Sequence, residues 1–216
     1  MKKIYPDSKV ELTTFISKHY DTLLNIFTAG IYKKFIGKVI SDMHIQENDH
    51  ILDLGCGTGR NACLMQQYIN DHGFITGLDI SPIMLKQFTE HCTSFNNTET
   101  FKQRIDKPFD LGKKYDIVFI SFVIHGFPHA VRMEIIKNAF THLKQGGYFM
   151  ILDFSEFSLK DMPFHHRIIF KTIECKYAFD FITHDWQSIL SEFGFGHFDS
   201  KYYLKNYVRL LKVRKQ

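Results

Sequence analysis

The chain has 216 residues with a formal net charge of +4, and 44% of the residues are hydrophobic. This length and composition are typical of a soluble globular protein built as one domain. The four cysteines have neither the spacing of a disulfide framework nor that of a zinc site, which fits a reducing cytoplasm. The first nine residues contain no apolar segment, and no apolar run approaches the roughly 20 residues of a membrane span, so we expect neither a signal peptide nor a transmembrane helix.

The hydrophobic pattern predicts an alternation of strands and helices. Apolar residues recur every three or four positions over 10–43, which indicates helix. Further along we predict strands at 50–55, 74–80, 99–105, 115–123 and 148–155, and helices at 61–70, 81–92 and 129–144. Ser81 is the expected N-cap of its helix, and Gly146-Gly147 the expected end of the helix before them. A helix at 184–195 and one or two strands within 201–213 complete the pattern.

Strands that alternate with helices favour a mostly parallel sheet covered on both faces. We therefore predict a single α/β domain in three parts. Residues 1–45 form a helical cap, residues 46–155 a cofactor-binding core, and residues 156–216 a cover over the acceptor together with the closing strands.

A glycine-rich loop follows the first predicted strand and opens a helix. It reads Asp53-Leu54-Gly55-Cys56-Gly57-Thr58-Gly59, so its spacing is G-x-G-x-G. Dinucleotide-binding sites use G-x-G-x-x-G, which disfavours a nicotinamide-linked oxidoreductase. Glycines at such a turn let the backbone approach a ligand closely, and Asp53 can hold an ammonium group there.

A second acidic residue ends the next strand, in Gly77-Leu78-Asp79-Ile80. A carboxylate at this position, about 20 residues beyond the loop, accepts hydrogen bonds from both ribose hydroxyls of a bound nucleoside. The alternative for Asp79 is an ordinary helix-capping residue.

Four segments taken together resemble the successive motifs of class I S-adenosylmethionine-dependent methyltransferases. These segments are LDLGCGTGRNA, GLDIS, YDIVFISFVIHG and HLKQGGYFMILDFS, and the match spans roughly residues 15–155. More narrowly, the chain is similar to the ubiquinone/menaquinone C-methyltransferase group, whose N-terminal motif resembles Tyr20-Asp21, Asn25 and Gly30-Ile31.

The resemblance implies a Rossmann-like α/β fold, with a seven-stranded, mostly parallel sheet, helices on both faces and an N-terminal helical cap. It implies S-adenosylmethionine as cofactor, with S-adenosylhomocysteine as product. The residues that it places at the cofactor are Tyr20, Asp53, Gly55, Cys56, Gly57, Gly59, Asp79, Ile80, Asp106 and Ser121. In this interpretation Tyr20 closes over the cofactor, Ile80 packs on the adenine and Asp106 meets its edge, while the backbone around Ser121 faces the methionine portion.

His125 is the candidate catalytic residue, because it follows the fourth strand at the edge where such ligands bind. An unperturbed histidine has a pKa near 6.5, which suits a general base at neutral pH. The alternative is a histidine that only hydrogen-bonds a loop. The quinone enzymes usually carry arginine where His125 stands and asparagine where Gly126 stands, and they have a longer segment after residue 155.

The expected partner is a small or lipid-like acceptor, with a quinone-type ring favoured. Phospholipid amines, soluble thiols, amines or hydroxyl compounds, and a non-catalytic cofactor-binding protein are the alternatives. The basic residues near the C-terminus fit a solvated edge strand, so we expect no nucleic acid and, at most, peripheral contact with a membrane. His129, His165, His166 and His184 do not have metal-binding spacing, and we predict no metal.

Overall fold

The structure is a computed structural model, and it describes residues 4, 5, 7, 8 and 31–216. Seven strands form one sheet: β1 His50–Leu54, β2 Phe74–Asp79, β3 Thr98–Lys102, β4 Tyr115–Ser121, β5 Leu143–Phe154, β6 Phe195–Tyr203 and β7 Val208–Lys215. Their spatial order is β3-β2-β1-β4-β5-β7-β6. The first five strands in this order are parallel, and β7 is antiparallel to both of its neighbours. The predicted seven-stranded, mostly parallel sheet is confirmed.

The order reverses between β1 and β4, which are neighbours in the sheet although β2 and β3 lie between them in the chain. In open α/β sheets, ligands bind in the crevice outside the carboxyl ends of the strands at such a switch point. The topology therefore assigns the candidate site to the carboxyl ends of β1, β2 and β4.

Helices cover both faces of the sheet. They are α1 Ile31–Asp42, α2 Arg60–Met65, α3 Pro82–His91, α4 His129–His142, α5 Phe164–Ile173, α6 Lys176–Phe181 and α7 Trp186–Glu192, with short 3₁₀ turns at Gln66–Tyr68 and Ile124–Gly126. Successive residues of β4 belong to separate hydrophobic cores, with Ile117 and Phe119 on one face and Val118 and Ile120 on the other. This alternation is what a strand buried on both sides requires.

The described part of the predicted cap is α1. Its buried residues Ile36, Val39 and Ile40 belong to the same core as β1 and β2. Its last residue, Asp42, accepts hydrogen bonds from Lys201 Nζ at 3.0 Å and Tyr203 Oη at 2.8 Å, which tie α1 to β6. These partners outweigh the effect of burial and lower the pKa of Asp42 to about 2. Residues 9–30 of the predicted cap, including Tyr20, lie outside the described residues.

Several predicted boundaries are wrong. Helix α4 ends at His142 and β5 begins at Leu143, so Gly146-Gly147 lie inside the strand instead of ending the helix. Leu143 is buried and pairs with Tyr115 across a register shift in β4, which starts the strand earlier than the apolar run 148–155 indicates. The second predicted helix is also shorter, because α2 passes into a 3₁₀ turn at Gln66.

The C-terminal segment forms a hairpin. Asp185 caps α7 by accepting from the backbone N–H groups of Gln187 and Ser188, and Gly194, with φ +89°, stands between this helix and β6. The predicted helix 184–195 is therefore too long at both ends. Among residues 4, 5, 7, 8 and 31–216, no helix has the length and apolarity needed to cross a membrane.

Candidate cofactor and acceptor site

The glycine loop turns sharply between β1 and α2 and is closed onto β2. The backbone N–H groups of Gly55 and Cys56 both donate to the carbonyl of Leu78, at 2.8 and 3.0 Å. Gly55, Gly57 and Gly59 all have positive φ, of 78°, 55° and 81°. Such a chain path favours glycine, because other residues adopt the left-handed region at a cost of about 1–2 kcal/mol.

The three glycines have different surroundings. A Cβ atom on Gly55 would lie 2.8 Å from the Val123 side chain, and one on Gly59 would lie 2.8 Å from the Phe88 ring. A Cβ atom on Gly57 would meet nothing within 4 Å. Packing against the protein thus accounts for Gly55 and Gly59, whereas Gly57 borders open space in which a ligand could approach the backbone.

Asp53 lies beneath this loop with its side chain buried. Only 1% of the residue is exposed, and neither carboxylate oxygen has a hydrogen-bond partner within the part of the chain that the structure describes. Burial, with a smaller contribution from Asp79, raises the pKa of Asp53 to about 7. Because a buried carboxylate without a partner is costly, this group is suited to a cationic ligand group that would restore its charge.

Asp79 ends β2 beside the loop. Its Oδ2 accepts from the Gly57 N–H at 3.0 Å, and its Oδ1 accepts from the Ser81 N–H at 2.8 Å. Burial raises the pKa of Asp79, and these backbone donors oppose the rise. The predicted capping residue Ser81 does accept from the backbone of Met84. Asp79 therefore has a structural role, and its remaining lone pairs can still accept from a ligand.

Ile80 is 40% exposed, directly beyond Asp79, and gives the crevice an apolar surface. Cys56 contributes its backbone, because its thiol points inward, where it would lie 2.8 Å from a Cβ atom on Gly77. Burial raises the pKa of this thiol. Ser121 ends β4 and is followed by Phe122, which has φ +53°. Backbone strain of this kind concentrates at functional sites, and nothing in the sequence identified Phe122.

Asp106 is more enclosed than an adenine contact requires. Its carboxylate accepts from Tyr5 Oη at 2.6 Å and from Arg104 Nε at 3.0 Å, and a second Arg104 nitrogen also donates to it. Burial would raise the pKa of Asp106, but Arg104 and Tyr5 outweigh it and lower this pKa. Ser8 donates to the Gly126 carbonyl at 2.6 Å, so a short N-terminal segment lies across this edge of the sheet.

His125 stands between two carboxylates. Its Nδ1 lies 2.7 Å from Asp153 Oδ1, and its Nε2 lies 3.4 Å from Glu174 Oε2. Burial would lower the pKa of His125, but Asp153 and then Glu174 outweigh it and raise the pKa to about 10. The unperturbed pKa near 6.5, which makes histidine a candidate general base, therefore does not apply to His125 in these surroundings. At neutral pH the ring is an imidazolium, which has no lone pair with which to accept a proton.

Aromatic rings surround this cluster. The His125 ring centroid lies 5.0 Å from that of Phe154 and 6.5 Å from that of Phe181. Phe154 in turn packs edge-on against Phe170 of α5 at 5.0 Å. The carboxyl ends of β4 and β5, beside the glycine loop, thus combine a charged triad with an aromatic lining under α5 and α6.

Three further side chains have the geometry of candidate metal ligands: one ligand atom each from His129, Asp180 and His184 lies within 4.8 Å of the others. However, Arg132 Nη1 donates to Asp180 Oδ2 at 2.7 Å, and the two imidazole rings stack with centroids 4.2 Å apart. The Asp180 carboxylate is thus already paired with a cation, and the cluster is explained without an ion.

The sequence missed two members of the triad. Asp153 is the last residue but one of β5, just as Asp53 is of β1, so the same positional argument would have identified it. Glu174 is the C-cap of α5 and lies far from any recognised motif, and no sequence signal points to it.

Comparison with known proteins identifies the family. Residues 45–194 match the model of a methyltransferase domain. The chain is 28% identical over 144 residues to a demethylmenaquinone methyltransferase from Listeria monocytogenes, which covers 65% of this chain and 60% of the relative. It is 28% identical over 159 residues to the enzyme of that name from Staphylococcus haemolyticus, covering 73% and 65%. The chain thus matches less than two thirds of the length of these relatives.

Solved structures share the fold. A SAM-dependent methyltransferase from Aquifex aeolicus aligns with a TM-score of 0.61 and 16% identity over 84% of this chain and 89% of that one. Human N-acetylserotonin methyltransferase, solved in complex with SAM, aligns with a TM-score of 0.68 and 15% identity over 94% and 56%. At these identities the likeness shows the fold alone.

The fold and the glycine-loop site define a class I methyltransferase architecture. The family match covers more than half of the chain, and the chain therefore belongs to the methyltransferase domain family. The resemblance to class I S-adenosylmethionine-dependent methyltransferases is confirmed. The relatives of the menaquinone group support the narrower resemblance.

The charge state of His125 gives a first testable prediction. Because its folded pKa is raised from 6.5 to about 10, its ion pairs stabilise the fold fully below about pH 6.5, and this stabilisation is lost as the pH rises through about 10. In nitrogen NMR spectra of histidine-labelled protein, the His125 signals, assigned by their loss in His125→Gln, should be those of an imidazolium at about pH 8. A neutral ring at that pH would contradict the ion-pair geometry.

Proposed function

We propose that this protein transfers a methyl group from S-adenosylmethionine to a small or lipid-like acceptor that carries a quinone-type ring. The observation that supports the cofactor best is Asp53, a buried carboxylate without a described partner beneath the open space at Gly57. When bound, S-adenosylmethionine supplies an electrophilic methyl group on a sulfonium. Its amino-acid tail carries an ammonium group, which would give the Asp53 carboxylate an ionic partner.

In this proposal the residues around the loop hold the rest of the cofactor. Asp79 accepts from the ribose hydroxyls with the lone pairs that its two backbone donors leave free. The exposed Ile80 side chain packs on the adenine. Asp106 serves the adenine edge only through its backbone or a shared hydrogen bond, because Tyr5 and Arg104 already occupy its carboxylate. The backbone at Ser121 faces the methionine portion, and the role of Tyr20 stays as the sequence predicts it.

The aromatic side chains beyond the glycine loop support a ring-shaped acceptor. Tilted and edge-on aromatic rings next to His125 suit a planar apolar ring. The curated relatives are named for demethylmenaquinone. A quinone ring is electron-poor, so we expect the reduced hydroquinone form, which has electron-rich carbons and ring hydroxyls, to be the nucleophile. His125 and Gly126 replace the arginine and asparagine that are usual in the quinone enzymes, so we expect the ring to be held differently here.

A lipid-like acceptor also suits the outer surface of α5. Phe164 and Ile168 are four residues apart on one face of this helix and are 70% and 48% exposed, while Phe170 on another face packs in the aromatic lining. Lys171 is exposed on the same helix, and its first turn has no acidic residue. In this proposal the protein works in the cytoplasm and touches the membrane peripherally through α5.

The pKa of Asp53 predicts how cofactor binding depends on pH. Below about pH 7 the free protein carries a proton on Asp53, and binding an ammonium group must release it. The affinity for S-adenosylhomocysteine should therefore fall by up to roughly tenfold per pH unit below about 7. Calorimetry at about pH 6 in buffers of different ionisation enthalpy should show release of on the order of one proton. Asp53→Asn should abolish this release, and its persistence in the variant would contradict the assignment.

Two glycines provide a matched test of the cradle. Gly57 and Gly112 both have positive φ, 55° and 66°, and neither has an atom within 4 Å of an added Cβ. Each valine variant should lose about 1–2 kcal/mol of stability in thermal or urea unfolding. Only Gly57→Val should lose detectable S-adenosylhomocysteine binding, because its side chain would enter the space of the ligand. Normal binding by a folded Gly57→Val protein would place the cofactor elsewhere.

The acceptor class can be tested with methyl-labelled S-adenosylmethionine and a host extract separated into quinone, phospholipid and aqueous fractions. We expect label in the quinone fraction, and only after the extract has been chemically reduced. Label in the phospholipid or aqueous fraction would replace the quinone-type ring with an amine or a soluble acceptor. The absence of label from all three would favour a non-catalytic binding protein.

The α5 surface has its own control in the same assay. With a reduced quinone in anionic vesicles, Phe164→Ser together with Ile168→Ser should lower the rate more than Phe101→Ser, which removes a 42% exposed aromatic residue from β3. With a short-chain soluble quinone the three proteins should be alike. Equal rates on vesicles would remove the membrane contact from the proposal.

A further inference from the structure

The triad of Asp153, His125 and Glu174 carries a chemical role that goes beyond cofactor binding. Asp153 is 1% exposed, and its Oδ1 accepts both from His125 Nδ1 at 2.7 Å and from the Phe154 N–H at 2.8 Å. Its Oδ2 lies 3.3 Å from the His125 backbone N–H, which donates to it. Asp153 is thus enclosed and fully engaged, and it is not free to meet a substrate.

Glu174 differs from Asp153 in having fewer partners and a more exposed side chain. Among residues 4, 5, 7, 8 and 31–216, the only side-chain partner of its carboxylate is His125, at 3.4 Å from Oε2. Its side chain retains 16% exposure, compared with 11% for His125 and 1% for Asp153, so it is the most accessible of the three. Glu174 is also the C-cap of α5, where the helix dipole disfavours an anion. The nearby His125 imidazolium offsets only part of this cost.

The cluster of Asp153, His125 and Glu174 carries a net charge of −1. Asp153 and Glu174 together carry two negative charges against one positive charge on His125. The nearby guanidinium of Arg132 donates to Asp180 at 2.7 Å and is balanced there. Arg132 also donates to the backbone carbonyl of His125 at 3.1 Å, which holds the histidine loop in place. The uncompensated negative charge belongs to the more exposed carboxylate, which is Glu174.

We infer that Glu174 is the proton acceptor of the methyl transfer and that His125 and Asp153 are positioning residues that aim it. Of the three side chains, Glu174 is the most exposed, and among the described residues its carboxylate has His125 as its one side-chain partner. His125 as an imidazolium can donate but cannot accept, and Asp153 is enclosed. This inference rests on the proposed function, and it adds that the acceptor presents an aromatic hydroxyl to Glu174.

Proton transfer from the ring hydroxyl comes before methyl transfer. The O–H bond of the ring hydroxyl breaks, its proton passes to a Glu174 oxygen, and the electron pair remains on the ring. A ring carbon then forms the new bond to the methyl carbon, while the pair of the breaking C–S bond stays on sulfur. The proton originally on that ring carbon leaves to solvent as the ring regains its aromatic form, and the proton held by Glu174 returns to the ring oxygen. A positioned carboxylate of this kind contributes roughly 10²–10⁴-fold to a rate.

The test compares Glu174→Gln, Glu174→Ala and Asp161→Asn, with 1,4-dihydroxynaphthalene as the probe acceptor under reducing conditions. Asp161 is an exposed carboxylate in the segment before α5 and serves as the matched control. Single-turnover rates with excess enzyme and S-adenosylmethionine should fall at least about 100-fold in both Glu174 variants and stay unchanged in Asp161→Asn. The affinity for S-adenosylhomocysteine should be equal in all four proteins.

Two readouts separate a chemical role from a structural one. Formate should restore part of the Glu174→Ala rate, because a small carboxylate can enter the vacated space, and it should not restore the rate of His125→Gln. Unchanged single-turnover rates in Glu174→Gln would overturn the inference while leaving the proposed function intact. If the wild-type protein methylates only an amine or a thiol, the proposed acceptor fails, and equal rates of wild type and Glu174→Gln on that acceptor would overturn the inference as well.

Discussion

The carboxylate of Asp79 fixes the geometry on which the rest of the site depends. It accepts from the Gly57 N–H and the Ser81 N–H, so it joins the glycine loop after β1 to the first turn of α3. The Leu78 carbonyl adds two hydrogen bonds from the start of the loop. With the loop closed in this way onto β2, the side chain of Asp53 is left beneath it with no hydrogen-bond partner among the described residues. The unsatisfied charge and the open space at Gly57 are therefore consequences of one tightly bonded turn.

Much of this arrangement could be predicted from the sequence, because it follows from local patterns. Short apolar runs predicted β1, β2 and β4, and Ser81 followed by Pro82 predicted the start of α3. Boundaries were wrong where tertiary packing decides them. The strand β5 begins at Leu143, within residues whose local pattern favours a helix followed by a glycine turn, because Leu143 is buried opposite Tyr115.

In the candidate site, too, some residues could be predicted from the sequence and others could not. Asp53 and Asp79 could be found because each stands at or near the end of a strand close to a glycine, and Asp153 has a similar place in β5 but no glycine beside it. The state of His125 could not be found, because it depends on carboxylates supplied by β5 and by the end of α5, which only the fold brings together. The sequence alone suggests an uncharged histidine that can accept a proton. Two neighbouring carboxylates raise its pKa, so the ring is already protonated at neutral pH.

The two halves of the edge show how different surroundings raise two pKa values with opposite effects on charge. Asp53 is buried without a described partner, and its pKa rises to about 7, so it gains a stable charge only when a cation arrives. His125 is buried between two carboxylates, and its pKa rises to about 10, so it is charged before any ligand arrives. Environments that push titratable groups apart in this way assign them separate tasks. In the proposed function, cation binding belongs to the β1 side of the crevice, and the preformed ion cluster beside the aromatic rings belongs to the β4 and β5 side. The proposed reaction, in which a sulfonium loses its charge while an acceptor loses a proton, would use both on neighbouring strands of one sheet edge.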